Sequence, residues 1–279
     1  MRLARFTHGP LTTWGFVEGD EVRPVASGAP SLKAAMESGK PTLESLLEAS
    51  AAPVPLVDVR LLSPVLNPSK IVCIGLNYGE HARESGLALP EEPLVFAKFP
   101  SSITGPNDVI LLPPEATKVD WEAELAVVIA RPASQVSESE ALDFVGGYLV
   151  ANDVSARDIQ ARDGQWVRAK SFTSFCPLGP WITTVDEVGD ASGLAIQLTV
   201  NGEMRQNGTT SDLVADVRRI VSLCSRISTL EAGDVILTGT PAGTGIGMTP
   251  QQFLSEGDHV KTSIESLGEL SNRVVRATR

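Results

Sequence analysis

The sequence predicts a mainly β protein of the α+β class, with short helices as connectors and a small N-terminal α+β domain ahead of a larger one. Three observations carry this expectation. Short apolar runs rich in Val, Ile and Leu recur along the 279-residue chain, punctuated by Gly, Pro, Asn and Asp. Segments with helical spacing are few and brief, and they do not alternate with strands as a doubly wound fold requires. Ala51-Ala52-Pro53-Val54-Pro55 reads as a linker dividing residues 1–62 from residues 63–279.

In chain order, Leu3-Ala4-Arg5-Phe6, Thr13-Trp14-Gly15-Phe16-Val17 and Glu21-Val22-Arg23-Pro24-Val25 read as an antiparallel meander. Ser31 to Ser50 carries a helical pattern with Leu43, Leu46 and Leu47 on one face. Nothing in this region has catalytic spacing. Lys70 to Gly75 then reads as a strand, followed by a short helix or turn that Gly86 ends. Leu94 to Phe99 is a further strand. Ser137 to Phe144 reads as a helix with acidic residues in its first turn, and Tyr148 to Asp153 as a strand closing on a carboxylate. Val154 to Gln160 turns helical. Strands follow over Gly179–Thr183 and Leu194–Asn201, and Asn201-Gly202 is a strong hairpin signal before Gly202–Gln206. Thr210 to Cys224 spaces Leu213, Val217, Ile220 and Val221 as a helix does. Asp234–Gly239 and Asp258–Ile264 are the closing strands.

Composition bounds the function. The chain is 42% hydrophobic and 20% charged, as a globular protein is, with a formal net charge of −11. That charge argues against nucleic acid or an anionic membrane as partner. It leaves room for an anionic small substrate, because a metal ion and a few Lys or Arg reverse the local field. Three cysteines without C-x-x-C spacing suggest reduced, buried thiols and a cytoplasmic setting. Met1 to Pro10 has no apolar h-region, so no signal peptide is expected, and no apolar run approaches the roughly 20 residues that span a bilayer.

The chemistry centres on Val119 to Ile129. Glu122 and Glu124, two apart as a buried strand begins, lie on one face of it. Two like charges entering a core need compensation, and a hard divalent cation with oxygen ligands supplies it. A strand end with both glutamates in water is the alternative. Asp153, at the end of another apolar strand, is positioned to complete a three-carboxylate set, or to cap a helix. Such a set suits Mg²⁺, Mn²⁺ or Ca²⁺; with three histidines and no paired His or Cys motif, zinc is disfavoured.

Four further patterns bear on function. His81 and Glu84, three apart on a helical turn, can meet; a carboxylate on one ring nitrogen makes the other a general base. An exposed surface pair is the plainer reading. Gly75, Gly79 and Gly86 around them suggest a lid. Arg157, Gln160, Arg162 and Lys170 follow Asp153, where a basic group can hold a second carboxylate or an oxyanion. The loop Gly239 to Gly247 offers backbone amides to an anion but lacks the Lys-Ser/Thr ending of a P-loop. His8 and His259 have no such company.

These segments together resemble the fumarylacetoacetate hydrolase family over roughly residues 65–279. The resemblance rests on Gly75-Leu76-Asn77-Tyr78 with His81 and Glu84, Asp120-Trp121-Glu122-Ala123-Glu124-Leu125, Asn152-Asp153-Val154-Ser155-Ala156-Arg157-Asp158, Lys170-Ser171-Phe172 and Thr238-Gly239-Thr240-Pro241-Ala242-Gly243. It implies a mixed β-sandwich roll, a homodimer, and Mg²⁺ or Mn²⁺ (Ca²⁺ as a substitute) held by Glu122, Glu124 and Asp153. It implies His81 and Glu84 as a water-activating dyad, Lys170 and Gln160 near the substrate, and Thr240 at its carboxylate. The N-terminal segment resembles the short extra domain of bacterial members. The first expectation is hydrolysis of a C–C bond in an acylpyruvate such as fumarylpyruvate. A lyase or isomerase on the same site, acting on oxaloacetate or a 2-hydroxyheptadienedioate, is the second. A non-enzymatic β-sandwich with a structural Ca²⁺ site is the third.

Overall fold

A computed structural model describes residues 1–277. Its axis is the strand Ala123–Ile129, in which all seven residues are buried. Alternation sends its side chains to two different cores. Leu125, Val127 and Ile129 join one apolar cluster with Leu198, Val260, Ile264 and Leu270. Ala126 and Val128 join another with Trp14, Phe16, Leu32 and Met36. A strand covered on both faces has no room for a polar alternation, which is why this run is hydrophobic throughout apart from Glu124.

The strand sits within a 12-stranded sheet. Along its main path the order is Val54–Pro55, Glu21–Pro24, Leu11–Glu18, Arg2–His8, Cys176–Thr184, Val145–Asn152, Ala123–Ile129, Val235–Leu237, Ile71–Gly75 and Leu94–Lys98. Along this path pairing is antiparallel except between Val235–Leu237 and Ile71–Gly75. A second sheet of five strands, with Ala195–Val200, His259–Ile264 and Gly268–Arg276 at its centre, covers one face. The result is mainly sheet with a few short helices, the class the sequence predicts. Arg2–His8, Leu11–Glu18 and Glu21–Pro24 form the expected antiparallel meander, whose first strand pairs with Cys176–Thr184 through Arg2↔Thr183 and Leu3↔Ile182. The Asn201-Gly202 hairpin has both residues at positive φ, +54° and +82°, as a tight primed turn requires.

Several helix expectations need correction. Ser137–Phe144 is a helix only over the single 3-10 turn Ala141–Phe144, because Ser137 and Glu140 pair locally instead of propagating a ladder. Ser31–Ser50 is two helices, Leu32–Glu37 and Lys40–Glu48, broken at Gly39 with φ +84°. The helix expected over Thr210–Cys224 begins only at Val217, where the Asp216 side chain caps it. No helix among the described residues is long and apolar enough to cross a membrane.

Candidate active site

Glu122 precedes the central strand by one residue, Glu124 lies inside it, and Asp153 follows the neighbouring strand Val145–Asn152. The register Ala123↔Asn152 therefore sets the carboxylates side by side. All three are buried, and one oxygen from each lies within 4.8 Å of the others. Asp153 caps no helix: the next one starts at Arg157, and its N-cap Ala156 makes no side-chain bond.

Three cations hold this acidic group. Lys170 Nζ donates to Glu122 Oε2 at 2.5 Å and to Asp153 Oδ2 at 2.7 Å. Lys98 Nζ donates to Asp153 Oδ1 at 2.6 Å. Arg157 donates from Nη2 to Glu122 Oε1 at 2.6 Å and from Nε to Asp120 Oδ2 at 2.8 Å. Burial alone would raise Glu122, but Arg157 and Lys170 outweigh it and hold its carboxyl well below the usual carboxylate range. Burial likewise opposes the charge on Lys170, yet Asp153 and Glu122 outweigh it and keep the ammonium protonated.

Glu124 is the exception. Burial, then Asp153 and then Glu122, push it well above the ordinary range, and its one bond among the described residues is from the Gly239 N–H at 2.7 Å. Counting Asp120, the cluster has four carboxylates against three cations. A buried carboxylate that repels its neighbours and keeps an oxygen free is what a divalent cation would relieve, and an all-oxygen donor set suits Mg²⁺ or Mn²⁺.

His81 and Glu84 sit on the helix Gly79–Glu84, and Nδ1 meets Glu84 Oε1 at 2.8 Å. The pair is not the exposed surface contact that its spacing also allowed, since His81 is buried and Glu84 is half-buried. Glu84 also accepts the Gly243 N–H at 2.9 Å and the Thr244 hydroxyl at 2.9 Å. Burial would raise its pKa; the bonds from His81, Gly243 and Thr244 prevail and lower it. The Gly-rich loop does bind anions, but they are the protein's own. Gly239 serves Glu124, Gly243 and Thr244 serve Glu84, and Gly245 and Ile246 donate to Asp120 at 2.7 and 3.1 Å.

One cavity of about 600 Å³ gathers most of these groups, though Asp153, Asp120 and Lys98 are not part of its lining. His81, Glu84, Glu122, Glu124, Arg157 and Gln160 line it, together with Lys170 and Thr240. Gln160 Oε1 accepts from Arg157 Nη1 at 3.1 Å, and Thr240 Oγ1 accepts from Gln206 Nε2 at 2.7 Å. Arg162 stays outside, exposed and paired with Asp163. His8 is exposed, and His259 bonds to Ser271 away from this cavity.

Sequence reasoning passes over Lys98, Asp120 and Gln206. Lys98 has a legible signal: a lysine in the apolar strand Leu94–Lys98, on the same alternating face as Phe96. Gln206 has none, and Asp120 has only its place in the Asp120–Leu125 motif, because the partners that give them a role are distant in sequence.

A family model described as fumarylacetoacetate (FAA) hydrolase C-terminal matches residues 70–275. The chain belongs to the fumarylacetoacetate hydrolase family. A second model, described as Rv2993c-like, N-terminal, matches residues 1–64. Among similar members, the mitochondrial oxaloacetate tautomerase FAHD2B of Bos taurus is 45% identical over 245 residues, covering 86% of this chain and 78% of the relative. The 2-hydroxyhepta-2,4-diene-1,7-dioate isomerase of Mycobacterium marinum has a structure with TM-score 0.81 and 39% identity, covering 100% of both chains. A maleylpyruvate hydrolase from Sphingobium sp. SYK-6, solved with manganese(II) and pyruvate, has TM-score 0.82 and 32% identity, again covering 100% of both. This member of the fumarylacetoacetate hydrolase family thus shares its fold with hydrolases and isomerases alike.

Proposed function

We propose that this enzyme hydrolyses a carbon–carbon bond in an acylpyruvate-type 2,4-dioxo acid, releasing pyruvate and a carboxylic acid. The observation that carries the reading is His81, fixed by Glu84 through Nδ1, lining the same cavity as Glu122 and Glu124. With Nδ1 engaged, Nε2 is the nitrogen available to take a proton from water. The oxygen of that water forms a bond to C4, and the C3–C4 bond breaks. Its electron pair stays on C3 as the pyruvate enolate, which takes back a proton there. The Lys170 ammonium is suited to stabilise the charge that develops on the C4 oxygen. Gln160 and the Thr240 hydroxyl are suited to hold the substrate's oxygens. A divalent cation held by Glu122, Glu124 and Asp153 would supply Lewis acidity toward the 2-oxo acid and its enolate. The manganese and pyruvate in the maleylpyruvate hydrolase structure support this reading. A homodimer belongs to it too, and sedimentation should give twice 29.6 kDa.

Tautomerisation of oxaloacetate is the second reading, favoured by the 45% identity to the bovine tautomerase. There His81 would shuttle a proton between C3 and oxygen, with no attacking water. Turnover in ¹⁸O-labelled water separates the two. Hydrolysis places one labelled oxygen in the released acid, whereas a tautomerase gives no cleavage products.

A further inference from the structure

The strand Glu203–Thr209 stands at the edge of the five-stranded sheet, and Gln206 is its one buried residue. A slip in the pairing puts it there. Thr199 opposes Met204 and Leu198 opposes Gln206, so Arg205 is the extra residue of a bulge. Bulges re-aim a side chain. This one turns Gln206 inward, wholly shielded from solvent.

Every polar atom of the Gln206 amide is used. Oε1 accepts the Ala123 N–H at 2.8 Å, and Nε2 donates to the Pro241 carbonyl at 2.8 Å and to Thr240 Oγ1 at 2.7 Å. The two backbone partners fix which way round the amide lies, because an N–H only donates and a carbonyl only accepts. Thr240 therefore meets an N–H, and its oxygen accepts. A hydroxyl has one hydrogen. With the oxygen turned to Gln206, that hydrogen points away from it, and Thr240 lines the cavity. The Gln206 bond is this hydroxyl's one protein contact among the described residues.

The loop carrying Thr240 is pressed onto the same strand. A Cβ at Gly208 would sit 2.8 Å from Pro241 Cβ, and one at Gly243 would collide with the Arg205 carbonyl oxygen. Through Ala123, the Gln206 amide also ties this loop to the strand between Glu122 and Glu124. A carboxylate or keto oxygen offers lone pairs and no hydrogen, so a hydroxyl already turned to donate suits it without reorganisation.

We infer that Gln206 is a positioning residue that makes the Thr240 hydroxyl a dedicated hydrogen-bond donor to an oxygen of the bound 2-oxo acid. The inference rests on the 2-oxo acid reading above and deepens it at one contact.

The test is calorimetric binding of pyruvate to the Mn²⁺-supplemented protein, for the parent, Gln206→Glu, Thr240→Val and the double variant. Gln206→Glu keeps the side chain's shape and the acceptor for Ala123. Ionised, it has no hydrogen to give; neutral, it has one, which the Pro241 carbonyl claims because it can only accept. In either form Thr240 loses its donor. Each single variant should weaken pyruvate roughly 10–100-fold, the worth of a hydrogen bond to a charged group. In the Thr240→Val background, Gln206→Glu should cost less than about twofold more, because the two act as one unit. Equal weakening in both backgrounds would mean that the new charge repels pyruvate directly, and would overturn the inference. So would parent-like affinity in either single variant. With an acylpyruvate as substrate, both single variants should raise KM more than they lower kcat, as loss of a ground-state contact does. Coupled loss of pyruvate affinity in a protein that cleaves no acylpyruvate would leave the inference standing and remove the hydrolase reading.

Discussion

Lys98 donates to Asp153 at 2.6 Å with both side chains wholly shielded from solvent. With Lys170 on the other oxygen, Asp153 is gripped from two sides, so its orientation is set before any ligand arrives. Removing one member of a buried pair strands the other, at a cost of about 3–5 kcal/mol. Lys98→Met should therefore lower unfolding stability by about that amount, measured by urea denaturation. A loss under about 1 kcal/mol, the scale of a surface pair, would mean that Asp153 does not depend on this contact.

His81→Ala should lower kcat for acylpyruvate hydrolysis by roughly 10²–10⁴-fold with little change in fold, as loss of a general base does. Steady-state kinetics with circular dichroism as control checks this. Retention of the parent rate would rule out His81 as the base.

Gly247 probes the dyad without touching it. A Cβ at this position would meet Glu84 Cδ at 2.6 Å. Gly247→Ala should displace Glu84 from His81 and cost roughly 10²-fold in kcat, the effect of a shift near 1 Å. Fold should survive, because the atom in the way belongs to a side chain. The diagnostic readout is His81 itself, whose imidazole nitrogen NMR shifts should change in the variant when the Glu84 contact is lost. Unchanged shifts would show that Glu84 does not set the imidazole.

Glu84 also links stability to acid. Its folded-state pKa lies below that of the unfolded chain. The stabilisation is therefore fully present above the ordinary carboxylate range and is lost as pH falls through the lowered value. Glu84→Gln should flatten the acid limb of a stability–pH curve relative to the parent. Superimposable limbs would mean that the bonds from Gly243 and Thr244 contribute nothing to it.

The residues that sequence reasoning could reach are those whose chemistry is written locally. Glu122 and Glu124 enter a buried run, Asp153 ends another, and His81 and Glu84 share one helical turn. Each pattern is visible because a side chain conflicts with its immediate surroundings or faces a neighbour on the same element. The 12-stranded sheet was not legible, since joining Arg2–His8 to Cys176–Thr184 depends on pairing between segments far apart in the chain. The Gly-rich loop shows the same boundary. Its anion-binding amides were readable from composition, but the anions are Glu84, Asp120 and Glu124, which only the fold delivers. Over Ser137–Phe144 the acidic first turn looked like a helix start. Instead the Ser137–Glu140 pairing closes a single turn, and the chain passes directly into the strand Val145–Asn152.

The most direct measurement is equilibrium dialysis of the purified protein against Mn²⁺, repeated for Glu124→Gln and Asp153→Asn with circular dichroism confirming the fold. One ion per chain should be retained by the parent and lost from both variants. A parent that retains none, or folded variants that retain it equally, would contradict the convergence of Glu122, Glu124 and Asp153 on a catalytic cation.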